Sequence, residues 1–262
     1  METTAPVWDP AVYDRYKTYR DRPALDLLLQ IPADLSPKEV WDLGCGTGEH
    51  AAVLANRHPR AMVHGLDQSE EMLSVARRRT AAVDWRKGDI SAWRPDDAPQ
   101  LVFSNAALQW LPDHAVLFPR IMSAIARRGV FACQIPISEG EAWSVTLAEA
   151  SAAGPWAEKL KQVRQVQPTA SAEDYYRWLG PHSSEVDIWT TRYLHVLEGD
   201  DPVVDWMSGT ALRPLVQAIG DPGERDDFLA TYRELCAKAF PRQADGTTLF
   251  PFPRLFMIAR RA

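Results

Sequence analysis

The chain has 262 residues, 46% of them hydrophobic, enough for one large α/β domain or a domain carrying an insertion around a sizeable core. Lysine and arginine total 29 against 35 acidic residues (29 − 35 = −6), so nothing supplies the basic footprint of a nucleic-acid surface, though a few local arginines suffice for a small anionic substrate. The cysteines Cys45, Cys133 and Cys236 form no CxxC pair, the six histidines show no HExxH or HxH spacing, and no apolar run approaches the ~18 residues of a membrane span, which argues against a disulfide framework, a metal site and a membrane helix.

The N-terminal residues include Glu2 and Asp9 and lack the apolar segment of a secretory signal, so the expected compartment is the cytoplasm. The first thirty residues, with Tyr13, Tyr16, Tyr19 and Arg20, read as a helical arm. A second helix is predicted to start at Pro23, because proline suits a first helical turn. Glu39 to Leu43 reads as a short strand ending in a glycine loop, and Glu49 to Arg57 as a helix. Ala61 to Leu66 is the next strand, with Asp67 at its end. Ser69 caps a following helix whose first turn carries Glu70 and Glu71 and whose end carries Arg77, Arg78 and Arg79, as the helix dipole favours.

Strands follow at Val83 to Arg86 and Leu101 to Ser104, then a helix from Asp113 to Arg127 that stops at Gly129, and a fifth strand from Val130 to Ile135. Short apolar strands alternating with helices imply a parallel sheet covered on both faces. After Pro136 the pattern turns largely helical over 138–180, returns to a strand at Val186 to Leu197, is helical again over 202–239, and closes with a strand from Leu249 to Arg261. Pro251 and Pro253 place that last strand partly at an edge. The organisation expected is an arm and cofactor-binding core over 1–137, a helical cover over 138–185, a core strand at 186–198, further cover over 199–246, and a terminal core strand at 247–262.

The chemistry concentrates in the loop Asp42-Leu43-Gly44-Cys45-Gly46-Thr47-Gly48. It follows the first strand of a parallel sheet, where ligands bind, and opens a helix whose unpaired N–H groups face whatever is held there. A nicotinamide loop needs G-x-G-x-x-G, but Glu49 occupies the place of its third glycine and would repel a pyrophosphate, and no GK[ST] phosphate loop occurs. Asp67 falls nineteen residues after Gly48, where a carboxylate accepts ribose hydroxyls. Taken alone, Asp67 or Asp89 reads equally well as a turn or cap residue.

As a series, Asp42-x-Gly44-x-Gly46-x-Gly48, Asp67, Gly88-Asp89-Ile90 and Ser104-Asn105-Ala106-Ala107-Leu108-Gln109-Trp110 resemble the ordered motifs of class I methyltransferases. The resemblance implies a Rossmann-like, seven-stranded, mostly parallel sheet in the order 3-2-1-4-5-7-6, its last strand antiparallel, with an inserted helical cover. It also implies S-adenosyl-L-methionine as cofactor and S-adenosyl-L-homocysteine as product. The implied cofactor residues are Asp42, Gly44, Cys45, Gly46, Gly48, Asp67, Gln68, Asp89, Ile90 and Asn105. Of these, Asp42 with nearby carbonyls suits the ammonium, Asp67 the ribose and Asp89 the adenine.

Further segments are similar to the trans-aconitate 2-methyltransferase family: Trp8-Asp9-Pro10 with Tyr13, Arg20-Asp21-Arg22-Pro23-Ala24, Cys133-Gln134-Ile135-Pro136, Gly209-Thr210-Ala211-Leu212-Arg213-Pro214, and Phe250-Pro251-Phe252-Pro253-Arg254-Leu255-Phe256. Arg127-Arg128-Gly129 departs from the Pro-Gly-Gly turn common at that place. The implied reaction is monomethyl esterification of a small polycarboxylate. Its acceptor is already ionised at pH 7, with a reference pKa of roughly 4, so no catalytic general base is expected. Arg20 and Arg213 are candidate carboxylate clamps, because a guanidinium binds carboxylates bidentately, and Tyr13, Tyr16, Trp110 and Trp143 are candidate pocket walls. Methylation of a malonyl carrier protein, of another small molecule, nicotinamide oxidoreduction and cofactor binding without turnover remain the alternatives. The sequence leaves the oligomeric state open.

Overall fold

The computed structural model describes residues 17–161, 163 and 167–262. In chain order these form α1 (Lys17–Gln30), β1 (Glu39–Leu43), α2 (Glu49–Arg57), β2 (Met62–Asp67), α3 (Glu70–Arg79), β3 (Val83–Lys87), β4 (Leu101–Asn105), α4 (His114–Ala124) and β5 (Val130–Pro136). Then come α5 (Ala142–Ala152), α6 (Ala157–Leu160), α7 (Ala172–Leu179), β6 (Ser183–Leu197), α8 (Pro202–Ser208), α9 (Leu212–Ala218), α10 (Pro222–Ala239) and β7 (Thr248–Arg261). They group into two units, one comprising Arg22–Pro136, Thr169–Thr191 and Arg254–Ala262, the other Ile137–Pro168, Arg192–Pro253 and the described residues up to Asp21.

The first unit is built on a sheet in the order β3-β2-β1-β4-β5-β7-β6. Strands β1 to β5 run parallel and β7 runs antiparallel to β5, as the resemblance implies. Every residue of β5, Val-Phe-Ala-Cys-Gln-Ile-Pro, is buried, the mark of a strand covered on both faces. Helix α2 buries Ala51 and Leu54, three residues apart on one face. Helix α3 starts where Ser69 Oγ accepts from the Met72 N–H at 3.3 Å and ends on Arg77, Arg78 and Arg79. α7 is fixed by a capping box between Ser171 and Asp174.

Three elements differ from the sequence reading. No new helix starts at Pro23, because α1 already runs from Lys17 and carries Pro23 inside it. The helix expected to reach Arg127 ends at Ala124, with Ile125 extended and Arg128 left-handed at φ 64°. Tertiary pairing ends it early: Ala126 N–H donates to Pro99 O at 2.9 Å, pulling the chain toward the start of β4 before another turn closes. Finally, β7 lies between β5 and β6. Its prolines are tolerated because the ladder with β5 stops at the Pro136–Arg254 pair, so Pro251 and Pro253 fall outside it.

The second unit is mostly helical, and its core joins Trp143, Trp156, Trp206, Phe228, Phe250 and Phe252. The Trp206 ring stacks on His195 at 4.7 Å and meets Phe250 edge-on at 5.7 Å. The indole N–H groups of Trp143 and Trp156 donate to Ile137 O and Ala150 O, so the large rings are buried with their polar tips satisfied. No helix among the described residues is long and apolar enough to cross a membrane.

Candidate functional site

The glycine loop is clamped to its neighbours by backbone groups. Gly44 N–H and Cys45 N–H both donate to Leu66 O, at 2.8 and 3.0 Å, and Gly48 N–H donates to Cys45 O at 2.9 Å. Gly44 (φ 78°) and Gly48 (φ 83°) take left-handed conformations that other residues adopt at a cost. A side chain would also collide: a Cβ on Gly44 would stand 2.2 Å from Ala107 Cβ, and one on Gly48 would stand 2.5 Å from the Trp85 ring. The loop therefore lies against the turn after β4 on one side and Trp85 of β3 on the other. Thr47 Oγ1 donates to Glu49, which also pairs with Arg79 at 2.5 Å, while Arg79 Nε donates to Thr47 O at 3.0 Å.

Three aspartates mark the C-terminal ends of the first three strands. Asp67 Oδ2 accepts from Gly46 N–H at 2.9 Å and Oδ1 from Ser69 N–H at 2.8 Å. Asp89 caps a single 3-10 turn, Ile90–Ala92, accepting from Ser91 N–H at 2.7 Å. Arg120 of α4 donates to the Ile90 and Ser91 carbonyls and pins that turn. Asp42 is 1% exposed, and its Oδ2 has no hydrogen-bond partner. Burial, reinforced by the nearby Asp67 carboxylate, pushes the Asp42 carboxyl up to about 8 from its usual 3.8, against the opposing pull of the Ala51 N–H.

The turn after β4 is held from both sides. Ala106, left-handed at φ 52°, donates its N–H to Gln134 O at 2.9 Å, and Gln109 Nε2 donates to Ala106 O at 2.7 Å. His114 Nε2 lies 2.9 Å from Leu108 O, and its Nδ1 lies 2.7 Å from the Tyr175 hydroxyl. Burial lowers the His114 pKa, so the ring is neutral, with Nε2–H donating to Leu108 O and the Tyr175 hydroxyl donating to Nδ1. That buried pair ties α7 to the 3-10 turn Leu108–Trp110.

Of the residues singled out in the sequence, Asp42, Gly44, Cys45, Gly46, Gly48, Asp67, Gln68, Asp89, Ile90, Asn105 and Trp110 all lie in the sheet unit, at or just beyond the C-terminal ends of β1 to β4. Arg20, Trp143 and Arg213 lie in the helical unit. Arg20 donates to Trp206 O at 2.7 Å and stands 5.2 Å from the centre of that ring. Trp143 is 3% exposed and packs on Phe252, whereas Arg213 is exposed on α9. Tyr13 and Tyr16 lie outside the described residues. No group of three histidine, cysteine or acidic side chains converges as a metal site among the described residues.

Two buried polar residues in the sheet unit were not picked out as site residues. Gln134 of β5 is 0% exposed, and neither its Oε1 nor its Nε2 has a partner among the described residues. Each end of a buried amide left unmet costs ~1–3 kcal/mol. Arg254 of β7 is 6% exposed. The available signal was a polar residue interrupting an apolar strand, Ala-Cys-Gln-Ile and Phe-Pro-Arg-Leu-Phe.

Comparison with known proteins follows the same lines. A profile described as a methyltransferase domain matches residues 40–129. The trans-aconitate 2-methyltransferase of Azoarcus sp. (strain BH72) is 40% identical over 256 residues, covering 98% of this chain and all 100% of that protein. The trans-aconitate 2-methyltransferase of Streptomyces coelicolor is 41% identical, covering 100% of this chain and 89% of that one. Among solved structures, the YcgJ protein of Bacillus subtilis aligns with a TM-score of 0.60 at 14% identity, covering 92% of this chain and 98% of that one. A Haemonchus contortus phosphoethanolamine N-methyltransferase solved with S-adenosylhomocysteine aligns with a TM-score of 0.56 at 17% identity, covering 92% of this chain and 53% of that one. At these identities the two structures establish the shared fold.

Proposed function

The chain belongs to the trans-aconitate 2-methyltransferase family, and from that membership we propose that it forms a monomethyl ester on trans-aconitate, a small polycarboxylate, with S-adenosyl-L-methionine as methyl donor. The observation that carries the donor half is Asp42, a wholly buried carboxyl group with an unmet oxygen beside a loop whose Arg79 is paired with Glu49. Such a site fits a ligand that is cationic and phosphate-free. Asp42 takes the ammonium, Asp67 the ribose hydroxyls, and Asp89 with Ile90 the adenine. Gly44 to Gly48 give the backbone room to approach, with Cys45, Gln68 and Asn105 completing the wall.

S-adenosylmethionine supplies a methyl group on a sulfonium, so that a carboxylate oxygen forms the new C–O bond while the C–S bond breaks and leaves its electron pair on a neutral thioether. No proton moves in that balance. The protein has only to bring an ionised carboxylate into line and keep water away, and alignment of this kind is worth up to ~7–11 kcal/mol. Trp110 of the sheet unit is the acceptor contact carried forward from the sequence. For Arg20 and Trp143 the packing around Trp206 and Phe252 gives a sufficient role.

Methyl transfer from labelled S-adenosylmethionine to trans-aconitate, with cis-aconitate, citrate and malonyl carrier protein in parallel, tests the reading. Labelling of trans-aconitate well above the other three is the expected result, and cofactor binding without labelling of any carboxylate would reject the acceptor.

The raised Asp42 pKa makes a second prediction. In the free protein the carboxyl holds a proton that the unfolded chain would release, so its contribution to stability is complete below pH 3.8 and is lost as pH rises through about 8. An ammonium beside it favours the carboxylate, so cofactor binding at pH 7 releases a proton and tightens as pH rises. Titration calorimetry in buffers of different ionisation enthalpy reads that proton. It should vanish in Asp42→Asn, and its absence from the unaltered protein would disprove the pairing.

A further inference from the structure

The segment after β4 is strained at both ends. Among the described residues three that are not glycine have left-handed backbone, and two of them, Ala106 at φ 52° and Asp113 at φ 55°, flank the 3-10 turn Leu108–Trp110. Such backbone persists only where its surroundings over-determine it, and it clusters where ligands are held. Two acceptor oxygens on the segment, Asn105 Oδ1 and Gln109 Oε1, are buried without a hydrogen-bond partner among the described residues, as suits groups that meet a ligand. Ala107, between them, bounds the glycine loop at Gly44.

A chain of hydrogen bonds with a single direction holds this segment. The Ala170 N–H donates to the Tyr175 hydroxyl, which donates to His114 Nδ1 at 2.7 Å. His114 Nε2–H donates to Leu108 O at 2.9 Å, the same oxygen that takes the turn's own bond from Leu111 N–H at 2.9 Å. Leu108 O can only accept, so Nε2 carries the proton, Nδ1 of the neutral ring is bare, and the hydroxyl fills it. The Tyr175 ring is fixed in turn by Phe118 at 4.9 Å and by the Trp178 edge at 5.0 Å. All of these groups lie in the sheet unit, and both His114 and Tyr175 are buried.

Building on the methyl-transfer reading above, we infer that His114 and Tyr175 are positioning residues for the reaction: the Tyr175 hydroxyl orients the His114 ring, and His114 Nε2–H holds the turn that sets Asn105, Gln109 and Trp110 against the ligands. Neither side chain touches the methyl group, and neither loses a proton in the transfer. The glycine loop is tied separately, through Gly44 and Cys45 to Leu66 O, and Asp67 and Asp89 stand at the ends of β2 and β3. Displacing the turn therefore degrades the alignment of methyl group and acceptor more than it weakens the hold on the cofactor. An error of ~1 Å in such an alignment costs about 100-fold in rate.

The test separates the two bonds of the imidazole. In His114→Gln the amide nitrogen reaches the place of Nε2 and keeps the bond to Leu108 O. In His114→Asn it reaches only the place of Nδ1 and keeps the bond to Tyr175. Each variant loses one buried hydrogen bond, so the two should melt at similar temperatures. His114→Asn is expected to lower kcat for trans-aconitate about 10- to 100-fold while binding S-adenosylhomocysteine within about threefold of the unaltered protein, and His114→Gln should recover most of that rate.

Equal rates in the two variants, or rates that follow melting temperature and not the bond retained, would overturn the inference. Nitrogen-15 spectra of the unaltered protein give a reading that needs no variant. Nε2 of His114 must carry the proton and Nδ1 must accept a hydrogen bond, and the opposite tautomer would overturn the relay. If neither histidine variant folds, Tyr175→Phe, which removes one oxygen and keeps the ring, carries the test. A kcat about tenfold lower supports the inference and an unchanged kcat overturns it. Failure of the unaltered protein to methylate any of the acids rejects the acceptor reading and this inference with it, whereas transfer that both histidine variants match rejects this inference alone.

Discussion

Alanine at Gly44 is expected to abolish cofactor binding and to lower stability by ~2–4 kcal/mol. Two costs add at this position. The left-handed backbone, φ 78°, costs a residue with a side chain ~1–2 kcal/mol, and the new methyl would stand 2.2 Å from Ala107 Cβ where ~3.5–4.0 Å is ordinary contact. Neither side can yield cheaply. Gly44 and Cys45 are tied to Leu66 O, and the opposing turn is tied through Ala106 N–H to Gln134 O. The companion change Ala107→Gly removes the colliding carbon, so the double variant should recover the steric part of the loss and keep the backbone part. At Gly46, by contrast, nothing lies within 4 Å of an added Cβ. A loss of cofactor affinity in Gly46→Ala beyond the backbone cost would therefore report the ligand itself. Thermal melts with calorimetric titration of S-adenosylhomocysteine measure all three, and a Gly44→Ala protein with unaltered affinity would remove the loop from the site.

Asp67→Ala is expected to weaken S-adenosylhomocysteine binding by at least about 100-fold, near 3 kcal/mol, with a smaller loss of stability. The carboxylate organises its own surroundings, accepting from Gly46 N–H at 2.9 Å and Ser69 N–H at 2.8 Å, and its free lone pairs are the ones offered to a ribose. Asparagine in its place keeps an acceptor for one of the two N–H groups and presents a donor to the other, so Asp67→Asn should recover little. Adenosine, which has the ribose and no amino-acid moiety, separates the two contributions. Adenosine binding should fall as steeply as that of S-adenosylhomocysteine if the ribose contact dominates. An Asp67→Ala protein that binds both as the unaltered chain does would refute the assignment.

Most of the sheet was legible because its signals are local. Apolar runs such as Glu39–Leu43 and Val130–Pro136, the Ser69 cap and the basic end of α3 each specify an element from a few adjacent residues. The glycine loop was legible for the same reason, since Gly44 and Gly48 announce backbone that other residues avoid. The 3-2-1-4-5-7-6 strand order followed from the family resemblance and not from periodicity, and the structure has that order.

What the sequence determined by itself was therefore the set of strands and caps, the loop, and through the ordered motifs the class of ligand. Tertiary structure alone decided where elements stop and what buried polar groups face. The Ala126–Pro99 hydrogen bond shortens α4, and the short β5 ladder spares Pro251 and Pro253. Register puts Gln134 and Arg254 on the face of Asp42, across strands separated by long stretches of chain. The physical reason is that propensity and patterning act over a few residues, whereas a buried group's cost and partners depend on residues brought beside it only when distant strands pair.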